Sequence, residues 1–258
     1  MRIFLITMIV LLSACSTSPT GRSQFLLYSP SALDQMGSEA FAALKKQEPI
    51  SHDIAVNLYV QCVARATLKG LLNDDGDPDR WEIVVFASEE ANAFALPGGK
   101  IGVYTGMLKV ATTQDQLAAV IGHEIAHVVA EHSNERISTQ AATQMGLSLA
   151  NSSGVNPNVQ ALLGVGAEYG VLLPYSRAQE SEADLIGLDI MARAGFNPQA
   201  SVEVWKNMEA KYGSQPPEFL LTHPGYHTRM TDLNLDMPEA MIIYEEVKAR
   251  GVHPNCHL

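Results

Sequence analysis

The chain has 258 residues and carries 17 Lys and Arg against 28 Asp and Glu, a net charge of −11 at pH 7. That acidity, with no basic block, disfavours nucleic acid and anionic lipid headgroups as partners. The length and an apolar fraction of 47% suit one large domain with a full core, alone or with a small appendage.

At the N-terminus, Met1 and Arg2 give one positive charge, and residues 3–12 form an apolar run broken only by Thr7. Small residues follow, Ser13 and Ala14, then Cys15. A basic start, a short apolar stretch and small residues make residues 1–14 a secretory signal peptide. The run is well short of the ~20 residues needed to span a bilayer. Leu12-Ser13-Ala14-Cys15 resembles a bacterial lipobox, which implies cleavage before Cys15 and lipidation of that residue. Ser16 stands where an Asp would favour inner-membrane retention, so the expected address is the periplasmic face of the outer membrane. Residues 15–30 then hold the lipidated Cys and a tether, with the polar stretch 16–23 expected to be flexible. Residues 31–258 are expected to form a single domain. Cys62 and Cys256 remain, and in an oxidising compartment they are expected to pair as a disulfide.

Residues 31–46 read as a helix capped by Ser31, and residues 52–71 as a second, with Ile54, Leu58, Val60 and Val63 as its apolar positions. Residues 73–80 are a polar turn whose spaced Asp residues lack the distal Glu of a calcium loop. Residues 81–87 are β-branched and aromatic and read as a strand. Residues 91–95 and 100–105 bracket Pro97-Gly98-Gly99 as two more, giving a small, mostly antiparallel sheet. From Thr113 onward the chain reads as mainly helical, with loops at 151–158 and 214–217. The fold class is therefore α+β, rich in helix.

His123-Glu124-Ile125-Ala126-His127 is H-E-x-x-H. Thr113, with Gln116 three later, starts the helix that carries it. Leu117, Val120, Ile121, Ile125, Val128 and Val129 make that helix largely buried. His123 and His127 lie one turn apart on one face, where two neutral imidazoles can chelate a zinc ion. Glu124 sits about 100° round the helix, able to reach an attacking water without occupying the metal. The competing reading is two core histidines and a surface Glu, which would leave buried polar groups in need of partners.

A catalytic zinc site needs a third protein ligand. Ser176 with Gln179 starts another helix, running to about Ala194, with Gly195 as its stop and Pro198 beyond. Glu180 and Asp184 share one face of it. Glu180 is the candidate third ligand, and Asp184 the candidate that orients a ligand histidine through its free ring N–H. Glu182 lies about 160° round from Glu180 and faces the other way. His52, His132, His227, His253 and His257 have no partner spacing and read as surface or packing residues.

The H-E-x-x-H followed by Ser176-Arg177-x-x-Glu180-x-x-x-Asp184 resembles the metallopeptidase family of CAAX prenyl proteases, HtpX and mitochondrial Oma proteases. Within it, periplasmic BepA- and LoiP-like lipoproteins look most similar. Asn92-Ala93-Phe94-Ala95 with Pro97-Gly98-Gly99, and Thr222-His223-Pro224 with Arg229, match two further motifs of that family. The resemblance spans about residues 80–235. It implies a gluzincin-type fold and one zinc per chain held by His123, His127 and Glu180, with Glu124 as catalyst. His223, by the same resemblance, is a candidate latch on the open zinc position. His223, Arg229 and Tyr175 are also candidate oxyanion donors. The strand at Asn92, Ala93, Phe94 and Ala95 is the candidate substrate-binding edge. Together with the N-terminus, the resemblance implies an endopeptidase acting on unfolded or stalled envelope proteins. The rival reading is a chaperone-like lipoprotein for outer-membrane protein assembly.

Overall fold

The computed structural model describes residues 15–72, 76–152, 175–213, 217–223 and 226–258. The signal peptide at 1–14, Pro224, and most of the loops expected at 151–158 and 214–217 lie outside them.

The described chain begins with an antiparallel ribbon, β1 (Cys15–Thr17) and β2 (Ser23–Phe25). The flexible tether expected here is instead packed against the body. Ser18 and Gln24 are buried, and Gln24 Nε2 donates to the carbonyl of Ala130 at 2.6 Å. The polar side chains of this stretch complement buried polar groups on the body, and composition alone cannot separate that role from solvation.

Helix α1 (Pro30–Gln47) starts one turn-position earlier than expected, with Ser29 rather than Ser31 as cap and Pro30 in the first turn. Helix α2 (Ile54–Leu68) is capped by Asp53. Its buried face is Tyr59, Val60, Val63, Ala64, Thr67 and Leu68, whereas Ile54 and Leu58 are exposed. The stripe continuing from Ile54 and Leu58 runs into Gln61 and Arg65, so it faces water. Strands β3 (Glu82–Phe86), β4 (Ala93–Leu96) and β5 (Lys100–Tyr104) form a sheet in the order β3-β5-β4. The β4–β5 hairpin is antiparallel, while β3 pairs with β5 in parallel. Gly98 and Gly99 turn the hairpin with φ of 80° and 70°.

Helix α3 (Gln114–Val129) is buried from Gln116 through His127. Thr113 caps it by accepting from the backbone N–H of Gln116. Gln116 does not return the bond to its cap residue; its Oε1 accepts from the backbone of Thr112 instead. After α4 (His132–Ser152) comes α5 (Arg177–Arg193), where Ser176 and Gln179 close a full reciprocal capping box and Gly195, at φ 83°, follows the end. The shorter α6 (Ala200–Tyr212) and α7 (Glu218–Thr222) lead to α8 (Tyr226–Ala249). Cys62 of α2 and Cys256 are joined by a disulfide, with Cα atoms 5.7 Å apart.

Helices α3 and α5 meet backbone to backbone at Gly122 and Gly187. A Cβ on Gly187 would lie 2.9 Å from the backbone nitrogen of His123. That approach places the side chains of α5 over the histidines of α3. Gly187→Ala improves helix propensity by about 0.5–1 kcal/mol, but overpacking of this kind costs about 1–3 kcal/mol. Thermal unfolding of the metal-free protein is expected to fall by several degrees in that variant. A melt at or above wild type would show that the helices part without cost.

Candidate active site

His123 and His127 project from adjacent turns of α3, and Glu180 reaches them from the first turn of α5. His223, at the end of α7, comes in from a third direction. One donor atom from each of these four buried residues lies within 4.8 Å of all the others. His123 Nε2 is 3.0 Å from His127 Nε2 and 3.2 Å from His223 Nδ1. Glu180 oxygens are 3.4 Å from Nε2 of both helix histidines and 3.0 Å from His223 Nδ1. These separations match the roughly 3.3 Å edge of a tetrahedron of nitrogen and oxygen ligands about 2 Å from a zinc ion. The donor set fits that ion chemically as well, being imidazole and carboxylate.

The surrounding charges favour a cation. When ionised, the carboxylates of Glu124, Glu180 and Asp184 outnumber the single guanidinium of Arg229 by two charges, all of them buried. Burial raises Glu124 above its ordinary value, with partial opposition from the nearby histidines. Burial also presses on Glu180, but His223, His123 and His127 outweigh it and hold that carboxyl well below the usual range. Burial and Arg229 push His123 toward neutrality, yet Asp184 and Glu180 prevail and lift it to about 9. Burial holds His127 well below 6.5. Glu124 Oε1 is buried without a hydrogen-bond partner among the described residues, 3.5 Å from His223 Nε2. An orphaned carboxylate oxygen beside such a cluster is a place for a water.

Asp184 Oδ1 lies 3.1 Å from His123 Nδ1, on the side of the ring away from the donors. Arg229 grips Asp184 through Nε and Nη2 at 2.7 and 2.6 Å, and its Nη1 is 2.7 Å from Glu180 Oε2. Its guanidinium also stacks over Trp205, 4.1 Å from the ring centroid. Arg229 was a candidate oxyanion donor on sequence. Its donors are committed to the ligand residues, so it braces the site from behind. Tyr175 stacks on His127 with centroids 4.0 Å apart, and its hydroxyl is 3.3 Å from Ser133 Oγ. Strand β4, with Ala93, Phe94 and Ala95, is the edge of its sheet and packs against α3, and the carbonyl of Asn92 accepts from Tyr104 N. A cavity of about 460 Å³ opens beside His127, with Leu33, Trp81, Pro97 and Val128 among its walls.

His132 and Glu182 were missed. His132 is fully buried, its Nδ1 2.8 Å from His127 Nδ1 and its Nε2 3.1 Å from Glu182 Oε2. Glu182 does face away from the donors, as its spacing requires, and the ribbon meets it there. Thr20 donates to its Oε1 at 2.6 Å and Arg22 Nε to its Oε2 at 2.8 Å. Arg22 also forks onto Glu135. Burial would raise Glu182, but hydrogen bonds from Ser18, Thr20, His132 and Arg22 outweigh it and hold the carboxyl at about 2.

The model of peptidase family M48 matches residues 57–235. The mitochondrial metalloendopeptidase OMA1 of Schizosaccharomyces pombe is 38% identical over 189 residues, covering 72% of this chain and 54% of that protein. The Saccharomyces cerevisiae protein of the same name is 36% identical over 214 residues, covering 79% of this chain and 60% of its own. The beta-barrel assembly-enhancing protease of Escherichia coli is 29% identical over 209 residues, covering 77% of this chain and 42% of that protein. The chain thus spans about half the length of the curated relatives it matches.

The depressed Glu182 gives a pH dependence of known sign. Its folded-state value of about 2 lies below the ordinary 4.5, so its stabilisation is complete above pH 4.5 and is lost as pH falls toward 2. The gap in melting temperature between wild type and Glu182→Gln is expected to be constant from pH 7 to 5 and to shrink below 4.5. A gap that persists unchanged to pH 3 would contradict the ion pairing described for this carboxylate.

Proposed function

This chain belongs to peptidase family M48, and on that footing we propose that it is a zinc-dependent endopeptidase. One observation carries the reading: four buried donor atoms converge on one point, beside Glu124 Oε1, which has no hydrogen-bond partner among the described residues. His123, His127 and Glu180 hold the metal. Bound zinc polarises the scissile carbonyl and acidifies the attacking water. Glu124 takes the water proton and delivers it to the leaving amine, a role suited to a carboxyl raised by burial. Asp184, braced by Arg229, orients His123.

His223 Nδ1 is the fourth of the converging donor atoms, and the ring would have to move away before a peptide carbonyl could enter. It is then a latch, held by its stacking on Phe219 with centroids 4.6 Å apart. With Arg229 engaged, Tyr175, whose ring stacks on His127, is the oxyanion-donor candidate we keep. The substrate strand pairs with the open edge of β4 through backbone hydrogen bonds, which tolerate many sequences. A side chain of that strand enters the cavity beside His127.

The substrates we propose are unfolded or stalled envelope proteins, and the address is the periplasmic face of the outer membrane through a lipid on Cys15. Two things support this, the signal and lipobox pattern of residues 1–15 and a relative named for enhancing beta-barrel assembly. Relatives named as mitochondrial are 38% and 36% identical to the chain, so the address is read from the N-terminal pattern and the substrate class from the relative named for beta-barrel assembly.

Casein degradation by wild type and Glu124→Gln, with zinc measured on both, tests the assignment. Both proteins are expected to hold about one zinc per chain, and the variant to lose roughly 10²–10⁴-fold in activity. If both bind zinc and neither cleaves, His223→Ala is expected to release activity. Absence of zinc from both would sink the proposal.

A further inference from the structure

The side of His127 that faces away from the metal donors is held by a relay that runs through His132 to Glu182 of α5. His127 Nδ1 meets His132 Nδ1 at 2.8 Å, and His132 Nε2 meets Glu182 Oε2 at 3.1 Å. Thr20 and Arg22 of the N-terminal ribbon close on the same carboxylate, and Glu135 closes on Arg22. A carboxylate only accepts, so His132 Nε2 donates and His132 Nδ1 is left as acceptor. His127 Nδ1 must then donate, and its lone pair falls on Nε2, the atom 3.0 Å from His123 Nε2 inside the donor cluster. The relay thus has a direction, and that direction presents His127 correctly to a metal.

The backbone is bent to make the relay. On an unbroken helix His132 would lie about 140° round from His127 and could not touch it. Glu131, between α3 and α4, has φ 53°, the left-handed region that costs a non-glycine residue about 1–2 kcal/mol. It folds α4 back so that His132 enters the core at 0% exposure, beside His127. Strain of this kind persists where surrounding contacts impose it.

We infer that His132 and Glu182, clamped by Thr20 and Arg22, are positioning residues that hold His127 in the tautomer and ring orientation needed to bind the metal. The residues immediately after Cys15 are then part of the metal site's support. The inference rests on the metal-site reading proposed above.

The test is the zinc dissociation constant, measured by competition with a chromogenic chelator, beside the melting temperature of the metal-free protein. The variants are His132→Ala, His132→Asn and Arg22→Ala. Loss of an outer partner of a ligand histidine typically weakens metal binding 10–100-fold. His132→Ala is expected to fall in that range. His132→Asn keeps a polar atom near the Nδ1 position and is expected to recover much of the loss. Arg22→Ala is expected to lie between wild type and His132→Ala. Variants that melt lower but bind zinc as tightly as wild type would overturn the inference, making the relay simple packing. If His132→Ala does not fold, the Asn and Arg22 variants decide by the same criterion. Wild type that binds no zinc would remove the metal-site reading itself, and this inference with it.

Discussion

Charge buried in the core is the constraint on which the rest of this structure depends. Glu124, Glu180, Asp184 and Arg229 all lie in the interior among three imidazoles, none more than 6% exposed. Each unpaired charge there would cost several kcal/mol. Every neighbouring element therefore has a polar duty. Helix α5 supplies Glu180 and Asp184, and α8 supplies Arg229. Helix α6 contributes Trp205, whose face receives the guanidinium. A divalent cation completes the balance, so the ion belongs to the core's electrostatics as much as to the chemistry.

Helix α5 serves two faces at once. Glu180 and Asp184 turn toward the donors, and Glu182, between them in sequence, turns toward the ribbon. The two ligand histidines of α3 thus receive different support. His123 is backed by a carboxylate–guanidinium pair from the helical body, and His127 by a second histidine and the N-terminal segment. This asymmetry is consistent with their opposite shifts: burial pushes both toward neutrality, but Asp184 and Glu180 lift His123 to about 9, whereas burial prevails at His127 and holds it low.

What the sequence reveals here is what is local and periodic. The H-E-x-x-H helix, its Thr113 start and the Ser176–Gln179 box depend on spacings of three and four residues, and these survive in the structure. Glu180 could be singled out as the candidate third ligand because it shares a face with Asp184, whereas Glu182 must face the other way. His132 was illegible because a left-handed Glu131 breaks the period, and nothing in residue type announces a left-handed Glu. The docked ribbon was illegible because polar residues that satisfy buried groups look the same as polar residues in water. The parallel pairing of β3 with β5 depends on a crossover around β4 and leaves no mark in either strand.

The disulfide has a topological consequence. Cys62 and Cys256 are 194 residues apart, and His123, Glu124, His127, Glu180, His223 and Arg229 all lie between them. The covalent path through that span is a closed ring. One cut anywhere in it opens the ring without releasing a fragment. The severed ends remain tethered, and the helices can stay packed around the metal. Such a cut would add only the mass of one water and release no fragment until the sulfur bridge is reduced and the fold is denatured.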